Sequence, residues 1–523
     1  MSNGLAVYGF LITCVWIITA VFDYLSYAYF WQLKEYRLDR FKDLLQSSQG
    51  KEIWKDPRFV SRGIGSIILF LSPVPYIAIG VLLIDLFFIL LGKRKFRRPV
   101  VTAKSTLIII FSVILELLLF QVFPINLPFI LFLHFFTISL LVFLFYIPSR
   151  LAKSFFIWRA TNKIASYKKL LVIGITGSYG KSSVKEFTAH FLSTDFTVIK
   201  TPKNINSEIG IAKFILKTNF TGVDFFVCEM GAYTMGEIKT ICDMVKPKVG
   251  ILTTIGEQHL TLFGSIKNIQ SAKYELLRSI PQNGLVITNA DNAYCLEYLK
   301  ELKCKNIETC GFEEKKRPTF LIVRNRPTMN GIEFEGIYHG QRGEMSLPVL
   351  GAHQAYNAAL AIMVAVNMEV NPTHIVEAGK TMPPNLQGAL KQYVYGKATI
   401  IDDSYNSNPA GFRSAIEVLS LFPSNKRRIV ITRGMLELGD QSDQLHEKIG
   451  GEIAYYCDEL ILITPDFVEP LKRGVGEKYH TNIQYLFDQQ KLLEYVKSLK
   501  TKECIVLLEN KMPPIVREEI IQP

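Results

Sequence analysis

The stretch Gly174-Ile175-Thr176-Gly177-Ser178-Tyr179-Gly180-Lys181-Ser182-Ser183 sets the architecture of this chain. Leu170–Thr176 is short, apolar and partly β-branched, and a glycine follows it, which predicts a buried strand. Ser182–Ser193 then predicts a helix. A strand that enters a helix through a glycine-rich turn can cradle phosphates. The glycines let backbone N–H groups approach phosphate oxygens, and the helix N-terminus adds partial positive charge. In such a loop Lys181 reaches the terminal phosphates and a hydroxyl binds Mg2+. Gly177, Ser178, Gly180, Lys181, Ser182 and Ser183 are therefore the candidate nucleotide-binding residues. The strict phosphate-loop spacing has glycine where Ile175 stands, so a glycine-rich turn without ligand is the competing reading.

The same alternation continues on the C-terminal side. Asp224–Glu229, Val249–Thr254 and Leu285–Asn289 repeat the strand pattern, with helical stretches between them. Such βαβ alternation means a parallel sheet with helices on both faces. Pro318–Leu347, with its glycines and β-formers, predicts a small antiparallel excursion, and Gly351–Val366 an Ala-rich helix. Met382-Pro383-Pro384 breaks the chain, and a second α/β alternation runs through Ala398–Asp402, Ile429–Thr432, Glu459–Ile463 and Glu503–Leu508. The expected fold class is α/β. A P-loop-type, mostly parallel central sheet domain occupies 166–384 and a smaller Rossmann-like α/β domain 385–523, after N-terminal transmembrane helices within 1–165.

The membrane expectation comes from composition. The 523 residues carry 59 Lys+Arg against 47 Asp+Glu, a net +12. Mean hydropathy is +0.20 with 20% charged residues, too apolar for disorder and unusual for a soluble enzyme. A pI near 9.1 would suggest nucleic acid if the charge covered a folded surface. It does not: residues 1–169 hold 20 basic and 8 acidic side chains, and the remaining 39 basic residues face 39 acidic ones. The excess lies in the most apolar third, the pattern of membrane segments with basic flanks, and no nucleic-acid partner is expected. Four apolar stretches, Leu5–Phe22, Ser66–Gly92, Ser105–Phe123 and Leu127–Ile147, predict about four membrane helices. Both termini, and everything after Arg150, are expected in the cytoplasm. Ser72-Pro73-Val74-Pro75 interrupts the second stretch, leaving a Pro-kinked span, which is favoured, or a re-entrant segment. Asp85 and Glu116 lie inside apolar stretches with no basic partner nearby in the chain, which assigns them to helix packing or an interface before a proton path. The eight cysteines show no CxxC pair and no zinc spacing, so reduced thiols are expected.

Further motifs follow the glycine-rich loop in order. They are Thr201-x-x-Asn204-Ile205-Asn206-Ser207-Glu208-Ile209-Gly210, then Cys228-Glu229-Met230-Gly231 with Gly236-Glu237-Ile238. Thr254-Ile255-Gly256-Glu257-Gln258-His259-Leu260 with Phe263-Gly264-Ser265, and Ala272-Lys273-Tyr274-Glu275, come next. Asn289-Ala290-Asp291-Asn292, His353 with Asn357, Asp402-Asp403-Ser404-Tyr405-Asn406-Ser407-Asn408-Pro409 and Met435-Leu436-Glu437-Leu438-Gly439 complete the set. Over about two thirds of the chain this set resembles the Mur ligase family. The last two motifs most resemble the member that adds D-Ala-D-Ala to the muramoyl tripeptide. Four departures concern Tyr179, where Asn or Thr is usual, Ser207, where a second Asn is common, Gly388-Ala389-Leu390, where a Gly-Arg pair often stands, and Arg433-Gly434, where Gly-Asp is usual. None removes a phosphate or Mg2+ ligand. Family members carry a soluble N-terminal domain that binds UDP. Residues 1–165 stand in its place, which brings in a lipid-linked or polymer substrate.

The resemblance implies an ATP-dependent, ADP-forming amide ligase of peptidoglycan precursor synthesis, and the apolar, basic first third implies that it is anchored at the cell membrane. ATP phosphorylates a carboxylate, an amine attacks the acyl phosphate, and phosphate leaves; positioning and charge neutralisation do most of the catalysis. It assigns Lys181 to the β/γ-phosphates, Ser182, Glu229 and His259 to Mg2+, and Lys273, as a CO2-derived carbamate, to a second Mg2+ or the substrate. Lys181, His259 and Lys273 form the implied catalytic set. Asn289, His353 and Asn357 fall on the adenine side, and Asp403, Tyr405, Asn406 and Asn408 on the ribose and domain-closure side. The implied partners are ATP, a muramoyl-peptide-like or lipid-linked carboxylate and an amino acid or dipeptide amine, with membrane lipids added by the composition of the first third. Without the resemblance, His259 reads as a structural loop residue and Lys273 as a surface lysine. The competing functions are a ligase for another carboxylate polymer such as poly-γ-glutamate, a transport ATPase, and an inactive ligase-like scaffold.

Overall fold

The computed structural model describes residues 2–33, 36, 41, 45, 53, 56–72, 75–90, 98–122, 126–257, 260–404, 409–435, 438, 441–476 and 481–521. It divides into two compact units, Met1–Phe155 and Phe156–Pro523. The division falls ten residues before the expected limit of the membrane region because Ala160 and Ile164, late in the helix Tyr146–Ala165, are buried in the core of the second unit.

The first unit is helical. Among the described residues, Thr13–Leu33, Ala103–Val122 and Leu127–Ala165 are long and apolar enough to cross a membrane, and Tyr76–Leu90 is apolar but shorter. The stretch 66–92, favoured as one Pro-kinked span, is instead divided between two helices that fold back on each other. Pro57–Leu71 ends at Ser72, which is extended (φ −148°, ψ 104°), and Pro75–Leu90 begins anew. The two arms run antiparallel: a Cβ on Gly65 would come within 2.6 Å of Val81, while Arg62 reaches Asp85. The fold also supplies the partners that Asp85 and Glu116 lacked in the sequence. Arg62 donates through Nε to Asp85 (2.8 Å) and through Nη1 to Asp23 (2.5 Å). The His134 ring lies 3.1 Å from Asp23 Oδ2 and 2.8 Å from Glu116 Oε1, and Trp16 Nε1 donates to the same Glu116 oxygen (2.9 Å). Arg62, Asp23, Asp85, Glu116 and His134 are all buried, so one polar chain links five helices. An unpaired charge at that depth costs several kcal/mol, and such a network is stable only when complete.

The second unit contains two sheets. The first has nine strands in the order β2-β3-β1-β4-β5-β6-β7-β8-β9. They are β1 (Leu171–Thr176), β2 (Val198–Lys200), β3 (Phe225–Glu229), β4 (Val249–Leu252), β5 (Leu285–Asn289), β6 (Ile307–Gly311), β7 (Phe320–Thr328), β8 (Gly331–Tyr338) and β9 (Gln341–Leu347). The pairs through β7 are parallel, and β7-β8-β9 is the antiparallel excursion. Both faces are covered: Ile173 and Ile175 of β1 enter one core cluster and Val172 another. That is why these strands read as continuous apolar runs rather than alternating ones. The strand order reverses around β1, so the chain leaving β1, β3 and β4 converges on one crevice, the usual ligand site of such sheets.

The second sheet has the order β10-β11-β15-β12-β13-β14, from β10 (Lys391–Tyr395), β11 (Ala398–Asp403), β12 (Arg427–Thr432), β13 (Glu459–Leu462), β14 (Asn482–Tyr485) and β15 (Cys504–Glu509). Only β10 is antiparallel to its neighbour. The eight cysteines are unpaired.

Candidate active site

The loop after β1 is built as its residues require. Gly180 takes φ +80°, and a Cβ there would stand 2.5 Å from Asn357 Oδ1. Asn357 is thus brought against the loop from the helix Gln354–Asn367, across a gap only glycine leaves open. Lys181 folds back over the loop and donates to Gly177 O (2.6 Å) and Ser178 O (2.9 Å). Burial lowers its pKa. Ser178 Oγ donates to Gly256 O and accepts from Gly256 N, both at 3.0 Å, and so ties the loop to the segment after β4. Ser183, one of the expected nucleotide residues, donates through its hydroxyl to Gly388 O (3.0 Å) in the linker between the sheets.

At the end of β3, Glu229 is buried and shared. Its Oε2 accepts from Ser182 Oγ (3.0 Å), and its Oε1 accepts from Asn206 Nδ2 (3.1 Å). Hydroxyl and carboxylate oxygens are the donors a hard cation takes, so Ser182 and Glu229 fit Mg2+. His259 lies outside the described residues, and among the described residues no three His, Cys, Asp or Glu side chains gather at metal-ligand spacing.

Lys273 is buried in the helix Ile266–Ser279, not a surface lysine. Desolvation first, and the Lys181 charge second, lower its pKa to about 7. CO2 adds only to a neutral amine, so this residue suits carbamate formation, and the anion formed would relieve its repulsion with Lys181. The neighbouring Glu275 is structural. It accepts from Gly236 N (2.6 Å) and Lys239 N (2.8 Å) at the start of the helix Glu237–Val245. Asn289 Oδ1 accepts from Asp291 N (2.7 Å) and shapes the turn after β5.

The second sheet contributes from its strand ends. Asp403, at the end of β11, has its pKa raised by burial and by the Asp402 charge, with a hydrogen bond from Glu509 opposing. His353 Nδ1 lies 2.8 Å from Ser414 Oγ on the helix Pro409–Ser420, so this expected adenine-side residue bridges to the second sheet's domain. Gln441 Nε2 donates to Glu257 Oε1 (3.0 Å), a second bridge. Tyr405, Asn406 and Asn408 lie outside the described residues. Sequence reading missed Asn206 as a partner of Glu229, and Lys185, one helical turn after Lys181, whose spacing was the available signal.

Comparison with known proteins bears on the family and the fold. Residues 175–365 match the Mur ligase middle domain, and residues 390–508 match the family described as Mur ligase, glutamate ligase domain. The UDP-N-acetylmuramoyl-tripeptide–D-alanyl-D-alanine ligase of Buchnera aphidicola (subsp. Baizongia pistaciae) is 32% identical over 57% of this chain and 64% of its own. The enzyme of that name from Escherichia coli is 30% identical over 53% and 61%. The chain thus spans less than two thirds of the length of these relatives. A crystal structure of MurF from Acinetobacter baumannii superposes with TM-score 0.61 and 25% identity over 70% of this chain and 79% of that one. MurF from Thermotoga maritima in complex with ADP gives TM-score 0.60 and 23% identity over 71% and 82%, a likeness of fold. Two consecutive family domains, covering more than half of the chain and containing the phosphate-loop geometry, make this chain a member of the Mur ligase family.

Proposed function

We propose that the protein is an ATP-dependent, ADP-forming ligase of peptidoglycan precursor synthesis, joining a substrate carboxylate to an amine such as D-Ala-D-Ala. The observation that carries this reading is the meeting of Lys181 and the Ser182–Glu229 pair beside β1, with buried Lys273 within reach of the Lys181 charge. In this reading Lys181 leaves its two loop carbonyls to neutralise the β/γ-phosphates, and the backbone N–H groups of the loop hold them. Ser182 and Glu229 would hold Mg2+, which when bound would supply further charge neutralisation on the phosphates. The γ-phosphoryl group passes to the carboxylate, the amine attacks the acyl carbon, and inorganic phosphate departs with the C–O bond electrons. The His353–Ser414 and Gln441–Glu257 contacts bring the second domain over the crevice, which keeps water from the acyl phosphate.

The long apolar helices and basic flanks of the first unit support anchoring in the cell membrane, with the ligase domains on the cytoplasmic side. A membrane-bound ligase has access to a lipid-linked carboxylate, and a ligase for another carboxylate polymer is the second reading. Purified protein offered UDP-muramoyl tripeptide, its lipid-linked form and several dipeptides with ATP, followed by mass spectrometry, identifies the product. ADP release is expected only when carboxylate and amine are both present. Equal ATP turnover without them overturns the ligase reading.

A further inference from the structure

We propose that Lys185 is a positioning residue that holds the Glu229 carboxylate in place and couples it to the linker between the two sheets. The proposal rests on the ligase reading above, in which Glu229 serves Mg2+.

Lys185 lies on the helix Lys181–Leu192 and is completely buried. Its Nζ is 3.3 Å from Glu229 Oε2 and 3.4 Å from Glu186 Oε1, and it donates to Gln387 Oε1 at 3.1 Å. Glu186 has a second cation, Lys200, so it does not depend on Lys185. An apolar side chain would fill this position without the desolvation cost of an ammonium. The charge is therefore explained by what it touches. Besides Glu186, the ammonium touches the carboxylate that Ser182 and Asn206 also hold and a linker amide.

The linker spans 381–390, between the helix Pro372–Lys380 and β10. Gly388 takes φ +83°, and a Cβ there would stand 2.9 Å from Ser183 Oγ, whose hydroxyl donates to Gly388 O at 3.0 Å. Two successive linker residues, Gln387 and Gly388, are thus held by Lys185 and Ser183, in the first two turns after the phosphate loop. When the second domain swings, the linker moves, and the ammonium that orients Glu229 moves with it. Glu229 is fully oriented only when the linker is seated.

The test uses the full chain in detergent, with Lys185→Met, Lys185→Arg, Gln387→Ala and the Lys185→Met/Gln387→Ala double variant. Lys185→Met is expected to lower kcat about 100-fold with KM for ATP within about threefold, because misplacing a group near the reacting atoms carries that cost. Lys185→Arg is expected to recover part of the loss, and the double variant to be no slower than Lys185→Met, because coupled residues are non-additive. A second readout needs no turnover: ADP with Mg2+ should protect the 381–390 linker from proteolysis in the wild type and not in Gln387→Ala. This holds even where Lys185→Met fails to fold. Full protection in Gln387→Ala, or additive losses in kcat, overturns the coupling. A wild type that is protected by ADP yet joins no carboxylate to an amine counts against the ligase reading instead.

Discussion

Ser182 Oγ donates a 3.0 Å hydrogen bond to Glu229 Oε2, so the first turn after the phosphate loop is tied to the end of β3. Glu229→Gln keeps the shape but removes the anionic oxygen. It should lower kcat about 100-fold or more, the scale for losing one charge-stabilising group, and raise the Mg2+ concentration needed for half-maximal rate. Phosphate release measured across a Mg2+ titration decides it; an unchanged Mg2+ requirement would remove Glu229 from the metal's surroundings.

Gly180→Ala meets two obstacles, the left-handed backbone and the Asn357 oxygen 2.5 Å away. The backbone cost alone is about 1–2 kcal/mol. ADP binding by calorimetry should weaken about tenfold, as about 1.4 kcal/mol implies. Adding Asn357→Ala should recover at most the steric part, less what Asn357 itself contributes to ADP binding. Full recovery would show that the backbone conformation carries no cost.

Lys273 has a pKa near 7 in the fold against 10.5 for a free lysine. The folded state therefore holds fewer protons between those values. The penalty of a buried ammonium is complete below pH 7 and lifts as pH rises toward 10.5. Lys273→Met should accordingly raise the melting temperature more at about pH 6 than at about pH 9. Activity regained on adding bicarbonate to CO2-depleted enzyme should rise between about pH 6 and pH 8, where the neutral amine appears. Lys273→Ala should abolish activity, with partial rescue by short carboxylic acids; an unaffected rate would end the carbamate reading.

Arg62 stands between Asp23 and Asp85 in the helical unit. Arg62→Leu leaves Asp85 buried without its hydrogen-bonded cation, while Asp23 keeps His134 (3.1 Å) and Arg58 (3.7 Å), and breaking such a buried pair costs about 3–5 kcal/mol. Replacing Arg62 and Asp85 together by apolar residues should recover most of that loss, because the Asp85 desolvation cost disappears with its charge while Asp23 keeps Arg58 and His134. Thermal unfolding in detergent separates the two outcomes. Equal stability of Arg62→Leu and wild type would mean that the network contributes nothing to the fold.

The residues around the loop after β1 are legible in the sequence because their chemistry is local. Glycines that must turn, a lysine and hydroxyls one position beyond, and flanking apolar runs need no distant partner to be recognised. The parallel sheet follows from the same alternation, since strands buried on both faces show as unbroken apolar runs. Short edge strands escape: β2 has three residues and β14 four, too few to display a period. Ser183 reads as a nucleotide residue, but its hydroxyl is claimed by Gly388, 205 positions later.

Family, domain order and the membrane-like character of the first third are written in the chain itself, because periodicity, motif order and charge distribution need no fold to exist. Which charges meet is a property of the folded molecule alone. Arg62 finds Asp85 and Asp23 at separations of 23 and 39 residues, Lys185 finds Gln387 at 202, and His353 finds Ser414 at 61. Only folding gives a buried charge its partner. It also desolvates Lys273, so a residue that without the family resemblance reads as a surface lysine is one whose amine titrates near pH 7.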